Sequence, residues 1–439
     1  MCSSDLGFLV FLGVLMALFA VRTPVGVALA MVAFFGTATL VSTRSIEQVA
    51  TIAFSVSSNF IIVVVPLFIL MGTLAFYADL GKDAYDAAKA WFGRVPGGLG
   101  VATVYSSAIF GACSGSSLSA VAVFSKIAVP EMQRANYNPK LALGVVASAG
   151  CLDVLIPPSI LMVFYGIITE TSVGQLLIAG IMPGILTAVL MATGVTLYAR
   201  MYPEAAPISS DLDTSWAAKL ATLKRLWAAA ILFTVVLGAI YTGIATPDEA
   251  AAVGVVGSLF LVWVRGNLTW ERVRFSFIDS AKVTAMIFML LGAGYIFATF
   301  LSTTGVVSTM TGWIKGMDLS FWALMVGIVV LYLFLGCFLD AISMMVLTMP
   351  ILAPLITDAG MSLVWFGVVV VVMMAIGTIT PPLGLNCFVM KGALGDSVKL
   401  SDIFAGSLPF VFLMLITVFL MTVFPEIVTW LPDLMKDMR

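Results

Sequence analysis

Apolar residues run in long blocks from end to end of this chain, with polar residues confined to short stretches between them. The blocks at 8–22, 25–42 and 59–79 approach the roughly 20 apolar residues that a helix needs to cross a bilayer. Residues 81–94 break the pattern. Ala, Gly and Trp there share helical spacing with Lys and Asp, which predicts an amphipathic helix lying in the interface. Two arms, 97–112 and 115–130, then flank a tip rich in Gly and Ser. Each arm is about 16 residues, or roughly 24 Å as helix, which is short for a span. They predict a re-entrant hairpin. The next block, 140–168, carries two prolines at its midpoint in LIPPS (Leu155 to Ser159), and 175–199 is again continuous.

The same order returns in the second half. Thr23-Pro24 recurs as Thr246-Pro247, and Gly81 as Gly305. Gly111 and Cys113 recur as Gly336 and Cys337, Pro157-Pro158 as Pro381-Pro382, and Ala179, Gly180 and Pro183 as Ala405, Gly406 and Pro409. All lie about 224 residues apart, which predicts a duplication. Five crossings and one hairpin make an odd repeat, as do seven crossings if the hairpin is two full spans, so the second copy enters from the opposite side. The expected fold is therefore an all-α polytopic membrane protein built from two inverted repeats, each with a re-entrant hairpin and a broken helix. The first repeat covers 8–200, with its hairpin at about 97–130 and its broken helix at about 140–168. A cytoplasmic linker covers 201–225. The second repeat covers 226–425, with its hairpin at about 321–356 and its broken helix at about 362–394, and a C-terminal tail covers 426–439. The opening residues MCSSDL match the translation of a common sequencing-adapter end, so 1–7 is read as an artefactual or unstructured N-terminus.

Composition narrows the function. Hydrophobic residues make up 61% of the chain and charged ones 10%, with a mean hydropathy of +1.13. An ordinary soluble domain is about half apolar and a quarter charged. A net charge of −2 without a basic tail argues against nucleic-acid binding. The absence of histidine removes imidazole metal sites and histidine proton relays. Five cysteines without C-x-x-C spacing read as small core residues. Charge also orients the chain. With both termini outside, all but five of the 21 Lys and Arg residues fall inside. The exceptions are Arg44, Lys315, Lys436 and Arg439 outside, and Lys126 within the first hairpin, which either snorkels to the interface or serves the site.

Proline lacks an N–H and clashes with the preceding turn, so the helix should unwind at LIPPS and at ITPPLG, Ile379 to Gly384. Unwound backbone at membrane depth belongs where it is buried in protein or lines a cavity. There, freed carbonyls suit a cation and half-helix N-termini suit an anion. The repeat phase pairs the first tip, Gly111 to Ser119, with LIPPS. It pairs the second, Gly336 to Ser343, with ITPPLG. Hard oxygen ligands suit Na⁺ rather than a transition metal. Asp153 and Asp340 lie in membrane segments, where a carboxylate is costly and marks function. The plainer readings are a proline kink for packing, Gly and Ser for close helix contact, and helix capping by the aspartates.

GACSGSSLSA (111–120), VPEM (129–132), YNPKLALG (137–144), LIPPSI (155–160), AGIMPG (179–184), ATPDEAAAVG (245–254), LGCFLD (335–340) and TPPLGLN (380–386) occur in this order. Together they resemble the large membrane (permease) subunit of tripartite ATP-independent periplasmic (TRAP) transporters over roughly residues 8–425. The resemblance implies an elevator-type transporter in the bacterial inner membrane. It would take up a small organic acid by Na⁺ symport. A soluble periplasmic binding protein would deliver the carboxylate, and a small four-helix membrane subunit would brace the scaffold. No cofactor and no catalytic residue is expected.

Residues and resemblance together give a candidate Na⁺ set of Ser114, Gly115, Ser116, Ser117, Gly150, Asp153, Asp340, Gly377 and Thr380. The candidate substrate set is Ser119, Pro157, Pro158, Ser159, Pro381, Pro382, Gly384 and Asn386. Where relatives commonly read Gly-Gly-Thr-Leu-Gly before the first prolines, this chain has Ala149-Gly150-Cys151-Leu152-Asp153. Where they often have Asn-x-Glu before the second, it has Met373-Met374-Ala375. Asp153 then either adds a carboxylate to the first cation site or titrates and couples H⁺. The alternative functions are a sodium–dicarboxylate symporter of related fold that needs no binding protein, a channel or scaffold, and an intramembrane aspartyl protease. The protease reading lacks its Gly-x-Gly-Asp signature at either aspartate.

Overall fold

The computed structural model describes residues 11, 13–15, 17, 18, 21, 23–41, 46–58, 60–208 and 214–437. The N-terminal segment 1–7 and much of the expected span 8–22 lie outside them. Every regular element among the described residues is helical. The first half holds α1 (Val25–Gly36), α2 (Ile46–Ser57), α3 (Val64–Tyr77), α4 (Leu80–Phe92), α5 (Gly98–Ser114), α6 (Ser117–Arg134), α7 (Pro139–Ala149), α8 (Ile160–Ile168), α9 (Val173–Ala179) and α10 (Ile181–Met201). Then come α11 (Trp216–Arg225), α12 (Trp227–Tyr241), α13 (Pro247–Val264), α14 (Trp270–Thr303) and α15 (Val306–Gly316). The chain closes with α16 (Phe321–Gly336), α17 (Ala341–Asp358), α18 (Leu363–Gly377), α19 (Leu385–Leu394), α20 (Leu400–Val423) and α21 (Glu426–Asp437).

Local chemistry sets many of the starts. Asn138 caps α7 with Pro139 at its first position, and Ser172, Ser320 and Ser362 cap α9, α16 and α18. Thr246 and Glu249 form a capping box at α13. Among the described residues, five helices are long and apolar enough to cross a membrane, or up to seven if two bent pairs each count as one span. One bend is 62° between α3 and α4, where the interfacial helix was expected; the other is 46° between α11 and α12. Large apolar side chains on the outside, such as Phe260, Trp263, Phe412 and Phe419, form a surface suited to lipid rather than water.

The linker and the tail both hold helices. The linker contains α11, which packs on α4: Trp91 and Trp216 meet edge to face, and the Lys219 ammonium lies over both rings. The C-terminal tail is helix α21, packed on α9 and α10. Amphipathic segments beside a membrane domain find a partner face, and polarity alone does not reveal it.

The centre is α18. Residues 368–376 are entirely buried, as a helix apolar on all sides requires. It packs against α8, α16, α17 and α20. Helix α7 lies against α20 so closely that a Cβ at Gly406 would come 1.9 Å from the Lys140 carbonyl oxygen. At one end of the molecule α4 is held by charge: Lys89 pairs with Glu131 at 2.9 Å and Arg265 pairs with Asp83.

Candidate cation and substrate sites at two helix breaks

Both proline pairs unwind their helices. After α7 the chain tightens to a 3-10 turn, Gly150–Val154, and regains α-helix only at Ile160. After α18 it regains α-helix at Leu385. Both Pro-Pro bonds are cis.

Each break meets a hairpin tip. Between α5 and α6, Gly115 adopts φ +63°, and a Cβ there would lie 2.2 Å from the Pro158 carbonyl oxygen. A Cβ on Gly111 would lie 2.7 Å from the Asp153 Cα. Between α16 and α17, a Cβ on Gly336 would come 2.8 Å from the Gly377 Cα. Glycine lets backbone touch backbone at both seams.

The two carboxylates differ. Asp153 is wholly buried and reaches across its seam. Ser114 Oγ donates to one oxygen at 2.7 Å, and Ser107 Oγ donates to the other at 3.1 Å. No Lys or Arg pairs with it among the described residues. Asp340 is half-buried and serves its own hairpin. It caps α17, accepting from the Ile342 and Ser343 N–H groups and the Ser343 hydroxyl. Beside it a cavity of about 180 Å³ is lined by Gly336, Asp340, Met344, Gly377, Thr378 and Gly384, among others.

Residues 12–427 match the family described as the tripartite ATP-independent periplasmic transporter, DctM component. The chain belongs to this family. The permease is 32% identical over 395 residues to a C4-dicarboxylate TRAP transporter large permease protein of Pseudomonas aeruginosa, covering 90% of this chain and 91% of that one. It is also 32% identical to an isethionate TRAP transporter permease protein of Oleidesulfovibrio alaskensis, covering 95% of this chain and 65% of that one. Its fold is similar to the crystal structure of the YdaH transporter of Alcanivorax borkumensis, with a TM-score of 0.63 at 16% identity, covering 88% of this chain and 90% of that one. The permease is thus an integral membrane protein, and its relatives are transporter subunits rather than enzymes.

Within the permease, Ser114, Gly115, Gly150, Asp153, Pro157 and Pro158 gather at the first seam, all buried. Ser116 and Ser119 are half-buried and Ser117 is buried. None of these three hydroxyls has a hydrogen bond among the described residues. Ser159 commits its hydroxyl to the backbone: it donates to Val154 and caps α8 by accepting from Met162 N–H. At the second seam Gly377, Gly384 and Asp340 line the cavity. Thr380 Oγ1 donates to the Ile376 carbonyl, and Pro381 and Pro382 are exposed. Asn386 is wholly buried and turns toward the first break. Lys126 is exposed on α6.

Sequence reasoning missed three residues. Ser107 lies two helical turns from Ser114 on one face of α5, a spacing that could have flagged it. Cys151, read as a core residue, donates its thiol to the Ala375 carbonyl. Thr378 lies 3.6 Å from that sulfur. Neither contact has a sequence signal, because the partners are more than 220 residues apart.

Proposed function

We propose that this permease carries out Na⁺-coupled uptake of a small carboxylate delivered by a periplasmic binding protein, together with a small membrane subunit. The observation that carries the reading is the pairing of each hairpin tip with a proline break, with a carboxylate at both seams. Oxygen donors predominate at the first seam: the Asp153 carboxylate, the Ser114 hydroxyl, and the unengaged hydroxyls of Ser116 and Ser117. Such donors suit a hard monovalent cation. A cation about 4 Å from a carboxylate gains about 4 kcal/mol at an effective dielectric near 20, before desolvation. Helices α6, α8, α17 and α19 all begin at the tips and breaks, and their N-terminal N–H groups favour a carboxylate ligand.

The repeated motif order and the odd number of crossings expected per repeat support two inverted copies, and the Lys and Arg distribution supports periplasmic termini. Membership of the family supports an elevator movement of hairpins and broken helices against the long α14. Relatives named for a C4-dicarboxylate and for isethionate support an organic-acid substrate.

The test is uptake into proteoliposomes holding the permease, its small subunit and its binding protein. Uptake should require an inward Na⁺ gradient and the binding protein. Asp153→Asn should raise the half-saturating Na⁺ concentration about tenfold, one charge–ligand contact being worth at least ~1.4 kcal/mol. Gradient-independent uptake would remove the coupling, and uptake of free substrate without the binding protein would favour the stand-alone symporter.

A further inference from the structure

Asn386 is not among the residues lining the cavity at the second break. It sits in the first turn of α19, and its side chain runs into the first break. Its Nδ2 donates to the Ala147 carbonyl at 3.2 Å and lies 3.6 Å from Cys151 Sγ. Ala147 belongs to the last turn of α7, where the α-ladder gives way to the 3-10 turn and carbonyls lose their donors. The reverse contact also exists. Cys151 Sγ, from the first break, donates to the Ala375 carbonyl at 3.3 Å, in the last turn of α18. Each broken helix therefore has a carbonyl near its end met by a side chain from the other, although the Ala375 carbonyl also accepts from the Thr378 N–H and hydroxyl of its own break. Asn386 is wholly buried, and its Oδ1 has no partner among the described residues. The amide is kept in place through its donor alone.

Symmetry does not demand this contact. In the repeat register Asn386 corresponds to Met162, an apolar residue in the first α-helical turn after LIPPS. The amide tie is made from the second break only; the first answers with the Cys151 thiol.

We propose that Asn386 is a positioning residue that couples the two cation sites. It binds the backbone of the first break to the second, so that ordering one seam with a cation preorganises the other. Breaking the tie leaves both sites present but independent. The proposal rests on the Na⁺-coupled reading above.

The experiment is a ²²Na⁺ binding titration on the purified full-length permease, run beside the Na⁺ dependence of uptake by the complete system. The wild type should bind cooperatively, with a Hill coefficient approaching the number of sites. Asn386→Leu keeps the side-chain skeleton and removes the donor. It should bind the same total Na⁺ with a Hill coefficient near one and a half-saturating concentration about tenfold higher, as expected when a buried carbonyl loses its donor. Asn386→Ser, too short to reach Ala147, carries the same expectation should the leucine variant not fold. Thr422→Val is the control for lost stability: it removes a buried hydroxyl that donates to the Val418 carbonyl and should leave the Hill coefficient unchanged. An Asn386 variant with wild-type cooperativity overturns the coupling. A variant that loses one Na⁺ outright also overturns it, because Asn386 would then be a ligand. A wild type that binds Na⁺ without cooperativity ends the coupling alone, and a wild type that binds no Na⁺ ends the reading on which it rests.

Discussion

At the scale of single residues, Asp153 and Asp340 look alike in the sequence and are unlike in the fold. Each lies in an apolar segment, three or four residues after a single glycine, Gly150 or Gly336. Asp340 finds its partners within three residues, as a helix cap does, and a local pattern can reveal that. Asp153 finds its partners 39 and 46 residues away, on the arm of a hairpin. The two should therefore respond differently to truncation. Asp340→Ala removes a partly exposed cap and should cost about 1 kcal/mol. Asp153→Ala leaves two buried serine hydroxyls without an acceptor and should cost about 2–4 kcal/mol, up to ~2 for each. Thermal melting of the purified permease checks the order; equal losses would mean that the Ser107 and Ser114 contacts contribute little. The glycines follow the same division. Their presence at the tips is visible in the sequence. That Gly115 faces Pro158 and Gly336 faces Gly377 is known only from the packed structure.

At the scale of elements, the hydrophobic blocks locate the helices well because burial and capping are local. The arms expected at 97–112 and 115–130 are α5 and α6, and the breaks fall at the prolines. Segments 201–225 and 426–439 were harder to read. Their helices gain stability from faces elsewhere in the molecule, and helix propensity is too weak to announce them alone. Capping can be tested at Thr246. Thr246→Ala opens the capping box of α13 and should lower stability by about 1 kcal/mol, read as a drop in melting temperature. A larger effect belongs at the α7–α20 contact. Gly406→Ala drives a methyl toward the Lys140 carbonyl and should cost about 1–3 kcal/mol as the helices part. An unchanged melting temperature would show that the contact loosens freely.

At the scale of the whole molecule, the question is which surfaces slide. Gly294 on α14 packs against Val346 of the second hairpin: a Cβ at Gly294 would lie 3.1 Å from the Val346 Cβ, close to the range a disulfide bridges. Thr187 on α10 and Thr417 on α20 approach to 3.4 Å between hydroxyls. If hairpins and broken helices move against α14, oxidising a Gly294→Cys, Val346→Cys pair should abolish uptake, and reduction should restore it. Oxidising Thr187→Cys with Thr417→Cys should leave most uptake intact if α10 and α20, which pack on each other, travel together. Equal inhibition by both bridges, or by neither, would argue against that division. The sequence by itself determined the membrane class, the helix order, the two proline breaks and the family, because each is written in local hydrophobicity, in backbone-restricted residues or in ordered motifs. Only the tertiary structure decided that Asp153 is held by the first hairpin, that Asp340 caps its own helix, and that Asn386 crosses from one break to the other. Those assignments depend on which buried donor meets which buried acceptor. In an apolar interior that pairing is enforced by the cost of leaving either group unsatisfied, and sequence distance has no bearing on it.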